Sequence, residues 1–79
     1  MRDTFIAMIP KAMSEKELRD ISYRAFCHPA LSGKDYNLIT AMCVYRTNYL
    51  AGKDDTELEM CRQSLKLTKK QVKTITKGA

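Results

Sequence analysis

Apolar residues recur along this chain at helical spacing, interrupted by short polar stops, and no run alternates as a half-buried strand would. Leu18, Ile21, Ala25 and Phe26 follow one another three or four residues apart. Ahead of them Ser14-Glu15-Lys16-Glu17 has the form of a capping box: the serine hydroxyl accepts from the Glu17 amide while the Glu17 side chain reaches back. The pattern predicts a helix over 15–26. Pro29 has no N–H to donate and biases His28 away from helical geometry, so that helix stops at or before Cys27. Ser32-Gly33-Lys34-Asp35 opens a second helix over 34–51, with Gly52 as its C-cap. At about 100° per residue, Leu38, Ile39, Met42, Cys43, Tyr45, Tyr49 and Leu50 cover roughly half of its circumference, as expected of the central helix of a domain.

Lys53-Asp54-Asp55 reads as a turn, and Asp54 or Asp55 caps a third helix. Glu57 and Glu59 suit its positive end, and Leu58, Cys61 and Leu65 form its buried stripe. Thr68-Lys69-Lys70-Gln71 repeats the capping-box pattern and opens a short fourth helix to Thr76, closed by Gly78. Residues 1–13 leave two readings open: Asp3 caps one turn of helix, or Phe5 to Ile9 lie extended across the bundle. The expectation is a single all-α domain over residues 1–79, a small bundle of about four short helices. A basic helix occupies 66–79.

Length limits what such a bundle can do. A chain of 79 residues buries only about 60% of the surface its unfolded form exposes. Its core is thin, and little room remains for a deep catalytic cleft with a rigid supporting shell. Composition is ordinary for a globular protein, at 44% hydrophobic and 29% charged, which excludes a low-complexity or disordered chain.

The formal charge of +5 is unevenly placed. Residues 1–60 carry eight bases and all nine acids, a net of −1, whereas residues 61–79 carry six bases and no acid, a net of +6. A field this lopsided attracts anionic partners. In the fourth helix Lys69, Lys70, Lys73 and Lys77 fall within an arc of about 100°. Val72 and Ile75 point the other way, Thr74 flanks the lysines, and Gln71 lies further round. Lys69 and Lys70 stand at the N-terminal end of the helix, where positive charge is unfavourable and an anionic partner would offset it. The plainer alternative is a solvated face that aids solubility.

Residues Leu58 to Lys77 resemble the helix-turn-helix motif of bacterial and phage regulators. Laid on the motif's positions, Cys61, Leu65, Leu67, Val72 and Ile75 fall where it wants apolar residues. The resemblance then puts Thr68, Lys69, Lys70, Lys73 and Thr74 on the exposed side of the recognition helix, where the family contacts DNA. Lys66, Gln71 and Lys77 complete the candidate nucleic-acid-binding set. Two positions depart: Arg62 stands where the motif prefers a small residue, and Lys66 where it prefers glycine in the turn.

Arg46 falls near the middle of the apolar arc of the second helix. Its stem is expected to run along the core with its head reaching water; the alternatives are a buried pair with an acid such as Glu59 or a place in an interface. Together with Tyr36, Tyr45 and Tyr49 it has the composition of a protein-binding hot spot. Cys27, His28, Cys43 and Cys61 lack the close-paired spacing of structural zinc sites, so no metal or other cofactor is expected. No nucleophile–base constellation or phosphate loop appears, and an enzyme is not expected.

The apolar run Phe5 to Ile9 is short and ends at Pro10, unlike an export leader, and no stretch reaches membrane-spanning length. With three cysteines, the expected setting is a reducing cytoplasm. The expected function is a small DNA-binding protein, a transcriptional regulator on the strength of the resemblance, with a homodimer supplying two half-sites. The alternative is a protein-binding module or inhibitor that docks on an acidic partner through Arg46 and the tyrosines or through the lysine helix.

Overall fold

The computed structural model describes residues 2–76. These form five α-helices: α1 (Arg2–Met8), α2 (Glu15–Cys27), α3 (Gly33–Leu50), α4 (Asp55–Ser64) and α5 (Lys69–Thr76). A 3-10 turn, Ile9–Lys11, follows α1. No strand occurs among the described residues.

The helix over residues 2–8 makes the count five rather than four. Phe5 and Ile9 point inward, at 8% and 0% exposure, while Ala7 between them is exposed; in a strand all three would share one face. Pro10 falls in the first positions of the 3-10 turn, where its missing N–H costs nothing.

The polar stops act as caps. Glu17 N–H donates to Ser14 Oγ (3.2 Å), Asp35 N–H to Ser32 Oγ (3.1 Å) and Glu57 N–H to Asp54 Oδ1 (2.8 Å). Each such cap contributes about 1 kcal/mol. At Ser14 the reciprocal half of the box differs from expectation: the serine hydroxyl itself meets the Glu17 carboxylate at 3.4 Å. The His28–Pro29 stop ends α2 at Cys27, where His28 N–H turns back to the Ala25 carbonyl.

All the other helices pack on α3. Its Ile39, Met42, Cys43 and Tyr45 meet Leu18, Ile21 and Ala25 of α2, Phe5, Ile9 and Ala12 from the N-terminal segment, and Leu67 and Ile75 from the C-terminal part. Two apolar assignments differ from the sequence reading. Phe26 is 68% exposed and lies edge-on to Tyr36, with ring centroids 5.5 Å apart. Leu58, Cys61 and Leu65 are only half-buried, because α4 covers the flank of α3 rather than entering the core.

Arg46 departs most from expectation. Its head does not reach water, and Glu59 is not its partner. At 3% exposure the guanidinium is enclosed and donates to main-chain carbonyls: Nε to Ala12 (3.3 Å), one terminal nitrogen to Ile75 (3.2 Å), the other to Pro10 (3.0 Å) and Ala12 (3.2 Å). The Tyr49 ring stands 5.2 Å from it. The planar fork thereby ties together the N-terminal segment, α3 and α5.

Candidate nucleic-acid interface

The turn into α5 and its first residues are held by a complete capping box. Gln71 N–H donates to Thr68 Oγ1 at 3.0 Å, and Thr68 N–H donates to Gln71 Oε1 at 2.8 Å. Leu67 and Ile75, 3% and 0% exposed, fix the back of the segment to the core, with Val72 half-buried between them. This docking leaves Lys69, Lys70, Lys73 and Thr74 exposed on the outer side of α5, and Lys66 and Thr68 exposed on the turn before it. Gln71 is half-buried. Lys77 and Gly78 lie outside the described residues.

The turn carries the one positive φ of a non-glycine residue among the described residues, 59° at Lys66. Lys66 N–H bonds back to the Gln63 carbonyl and Leu67 N–H to the Arg62 carbonyl, both at 3.1 Å. That pair of bonds is a Schellman motif, whose left-handed position is usually glycine. Arg62 sits alongside it. Its terminal nitrogen donates to the Leu67 carbonyl at 2.8 Å, while its Nε meets Glu59 at 3.0 Å. Hydrogen bonds from Arg62 and then Gln63, with the charges of Arg62 and Lys69 adding to them, hold the Glu59 carboxyl down at about 2.

The electrostatics of the strip follow from what is missing beside it. Among the described residues, the ion pairs are Arg2 with Asp3 and Asp35, Arg19 with Glu15, Arg24 with Asp20, Lys53 with Glu57 and Arg62 with Glu59. None involves Lys66, Lys69, Lys70 or Lys73. The hydrogen-bonding side chains, by contrast, are partly engaged at home. Thr74 Oγ1 donates to the Lys70 carbonyl at 3.0 Å, and the Thr68 hydroxyl and Gln71 carbonyl are held in the capping box.

The second candidate surface is not assembled. Tyr45 and Arg46 are 6% and 3% exposed and belong to the core; a partner could not reach them without opening the fold. Tyr36 is half-buried against Phe26, and Tyr49 alone of the four is exposed. The sulfur-bearing residues also lie apart. Cys27 is exposed at the end of α2, Cys61 is half-buried on α4, and burial pushes the Cys43 thiol up to about 12. Among the described residues, no three His, Cys, Asp or Glu side chains gather into a metal-holding set, and no helix is long and apolar enough to cross a membrane.

One basic residue near α5 was invisible to sequence reasoning. Arg2, at the start of α1, lines a groove together with Lys70, Gln71 and Thr74. Nothing in the linear sequence signals a neighbour so distant, because the pairing depends on α1 and α5 both docking on α3. Compared with models of protein families, with curated proteins and with solved structures, the chain finds no match.

Proposed function

We propose that this protein binds duplex DNA through the lysine side of α5 and the turn before it. The observation that carries the reading is the set Lys66, Lys69, Lys70 and Lys73, exposed along one docked element and paired with no carboxylate among the described residues. Leu67 and Ile75 fix the segment to the core, so its charges are presented at a set spacing. Because the exposed charged groups are lysines and Thr74 spends its proton on the Lys70 carbonyl, the contacts are chiefly to phosphates. Affinity then depends strongly on salt and only weakly on base sequence. A regulator's sequence-specific reading, and a dimer placing two such helices on successive half-sites, are finer parts of the same proposal.

Lys70→Glu and Lys73→Glu are the test, with a labelled duplex read by fluorescence anisotropy across a salt series. Wild type is expected to bind at low salt with a log–log slope near −4.5, for about five phosphate contacts. Each variant is expected to lose binding while keeping its helical circular dichroism. No affinity of the wild type for duplex at low salt ends the reading. Equal affinity for polyglutamate at matched charge transfers it to an acidic protein surface.

A further inference from the structure

We infer that Arg2 and Lys70 form a two-sided clamp for a backbone phosphate of the bound DNA, regulated by Asp35; the inference rests on the DNA reading above. The groove that carries it runs between α1, α3 and α5 and encloses about 210 Å³. Leu38 and Met42 of α3 give it an apolar floor, while Arg2, Lys70, Gln71 and Thr74 give it a polar rim. Its volume is below the roughly 300–1,000 Å³ of pockets that hold drug-sized ligands. It suits a single group of a longer molecule rather than a whole cofactor. Both full charges among its lining residues are positive and come from elements at opposite ends of the chain. An apolar floor excludes water from one side and strengthens the attraction of such cations for an anion. A phosphodiester strand following the exposed lysines of α5 reaches this groove at Lys70.

Arg2 already holds an anionic substitute. Its terminal nitrogen stands 3.7 Å from Asp35 Oδ1, and its Nε 3.6 Å from Asp3 Oδ1. The Arg2 and Asp35 side chains are 49% and 34% exposed, so the pair is loose, wet and weak. A phosphate offers the guanidinium a bidentate partner that also satisfies Lys70. In the free protein Asp3 and Asp35 together hold Arg2, and on binding Asp35, the partner from α3, gives way to the phosphate.

The probe is the same labelled duplex titrated across salt. Arg2→Ala is expected to weaken binding several-fold and reduce the slope by about 0.9, the loss of one phosphate contact. Arg2→Lys restores most of that slope. Asp35→Asn is expected to strengthen binding several-fold, a gain that a misfolded protein cannot produce. In the Arg2→Ala, Lys70→Ala double variant the second substitution costs less slope than it does alone, because one phosphate serves both. Wild-type affinity and slope in both Arg2→Ala and Asp35→Asn, with Lys73→Glu still abolishing binding, overturns the clamp and leaves the DNA reading standing. Wild-type binding by Lys73→Glu removes the reading and the clamp with it.

Discussion

The ends of α3 and α4 have the same backbone and different residues. At the end of α3, Gly52 takes φ 82° and bonds back to the Tyr49 carbonyl at 3.2 Å, with Lys53 reaching Asn48 at 3.4 Å. At the end of α4, Lys66 takes φ 59° and the equivalent bonds run to Gln63 and Arg62. Glycine enters this region at no steric cost, whereas a lysine there costs about 1 kcal/mol or more. The strained end is the one that opens onto the basic face, and it has a brace the other lacks, the Arg62 guanidinium on the Leu67 carbonyl. Arg62 and Lys66 therefore act on the same turn. A long side chain on α4 holds from outside a turn that glycine would hold by its own freedom.

Near Ile75 of α5 a buried side chain does the holding, and breaking that contact has the largest expected effect. The Ile75 carbonyl, in the last described turn of α5, receives the buried Arg46 guanidinium at 3.2 Å. Arg46→Leu leaves the carbonyls of Pro10, Ala12 and Ile75 in an enclosed site without their donor. Each such group costs about 1–3 kcal/mol. For a domain this small, whose whole stability is a few kcal/mol, the expected outcome is a protein largely unfolded at room temperature by circular dichroism. Lys in its place keeps the charge but cannot span three carbonyls with a planar fork, and recovers only part of the loss. A cooperative melt of Arg46→Leu within a few degrees of wild type would show that the clasp is incidental.

How much of this was legible beforehand differs by kind of feature. Local signals carried through. Ser14, Ser32, Asp54 and Thr68 all cap; α2 to α5 begin, and α2 and α3 end, within a residue or so of the expected places, because caps and breakers act over three or four residues. Amphipathic pattern correctly set Val72 and Ile75 behind the lysines. What depended on distant partners was not legible. The polar head of Arg46 reads as something that must reach water until 10, 12 and 75 are seen to deliver carbonyls to it. The place of Arg2 beside Lys70 is of the same kind.

Exchange of residues between the two Schellman ends sharpens the comparison at an intermediate scale. Lys66→Gly is expected to stabilise by about 1 kcal/mol by relieving the left-handed strain, which raises Tm by about 4–8 °C in a domain of this size. Under the DNA reading the same change also weakens duplex binding by one contact, so stability and affinity move in opposite directions. Gly52→Lys is expected to cost about as much as Lys66→Gly gains, even though a Cβ at Gly52 meets no atom within 4 Å; backbone strain alone sets the penalty. Arg62→Ala should cost more in the Lys66 protein than in the Lys66→Gly protein, since the brace matters most where the turn is strained. Equal costs in the two backgrounds would separate Arg62 from the turn.

The smallest effect tests what holds the brace itself. Glu59 anchors Arg62 through its carboxylate, and hydrogen bonding lowers that carboxyl from 4.5 to about 2. A carboxyl held below its unfolded value stabilises the fold at any pH above that value. The contribution disappears as pH falls from about 4.5 toward 2, when the carboxylate is protonated and Arg62 loses its anchor. Glu59 lies at the surface, so the loss is a modest one, screened by salt. Between these pH values the wild-type Tm should fall more steeply than that of Glu59→Gln, which has no proton to take up at this site. Parallel profiles would mean that the pair contributes nothing to the folded state and that Arg62 keeps its place on the Leu67 carbonyl unaided. In Gly52→Lys no braced turn exists at that end of α3, and the same acid range should weaken wild type and Gly52→Lys alike.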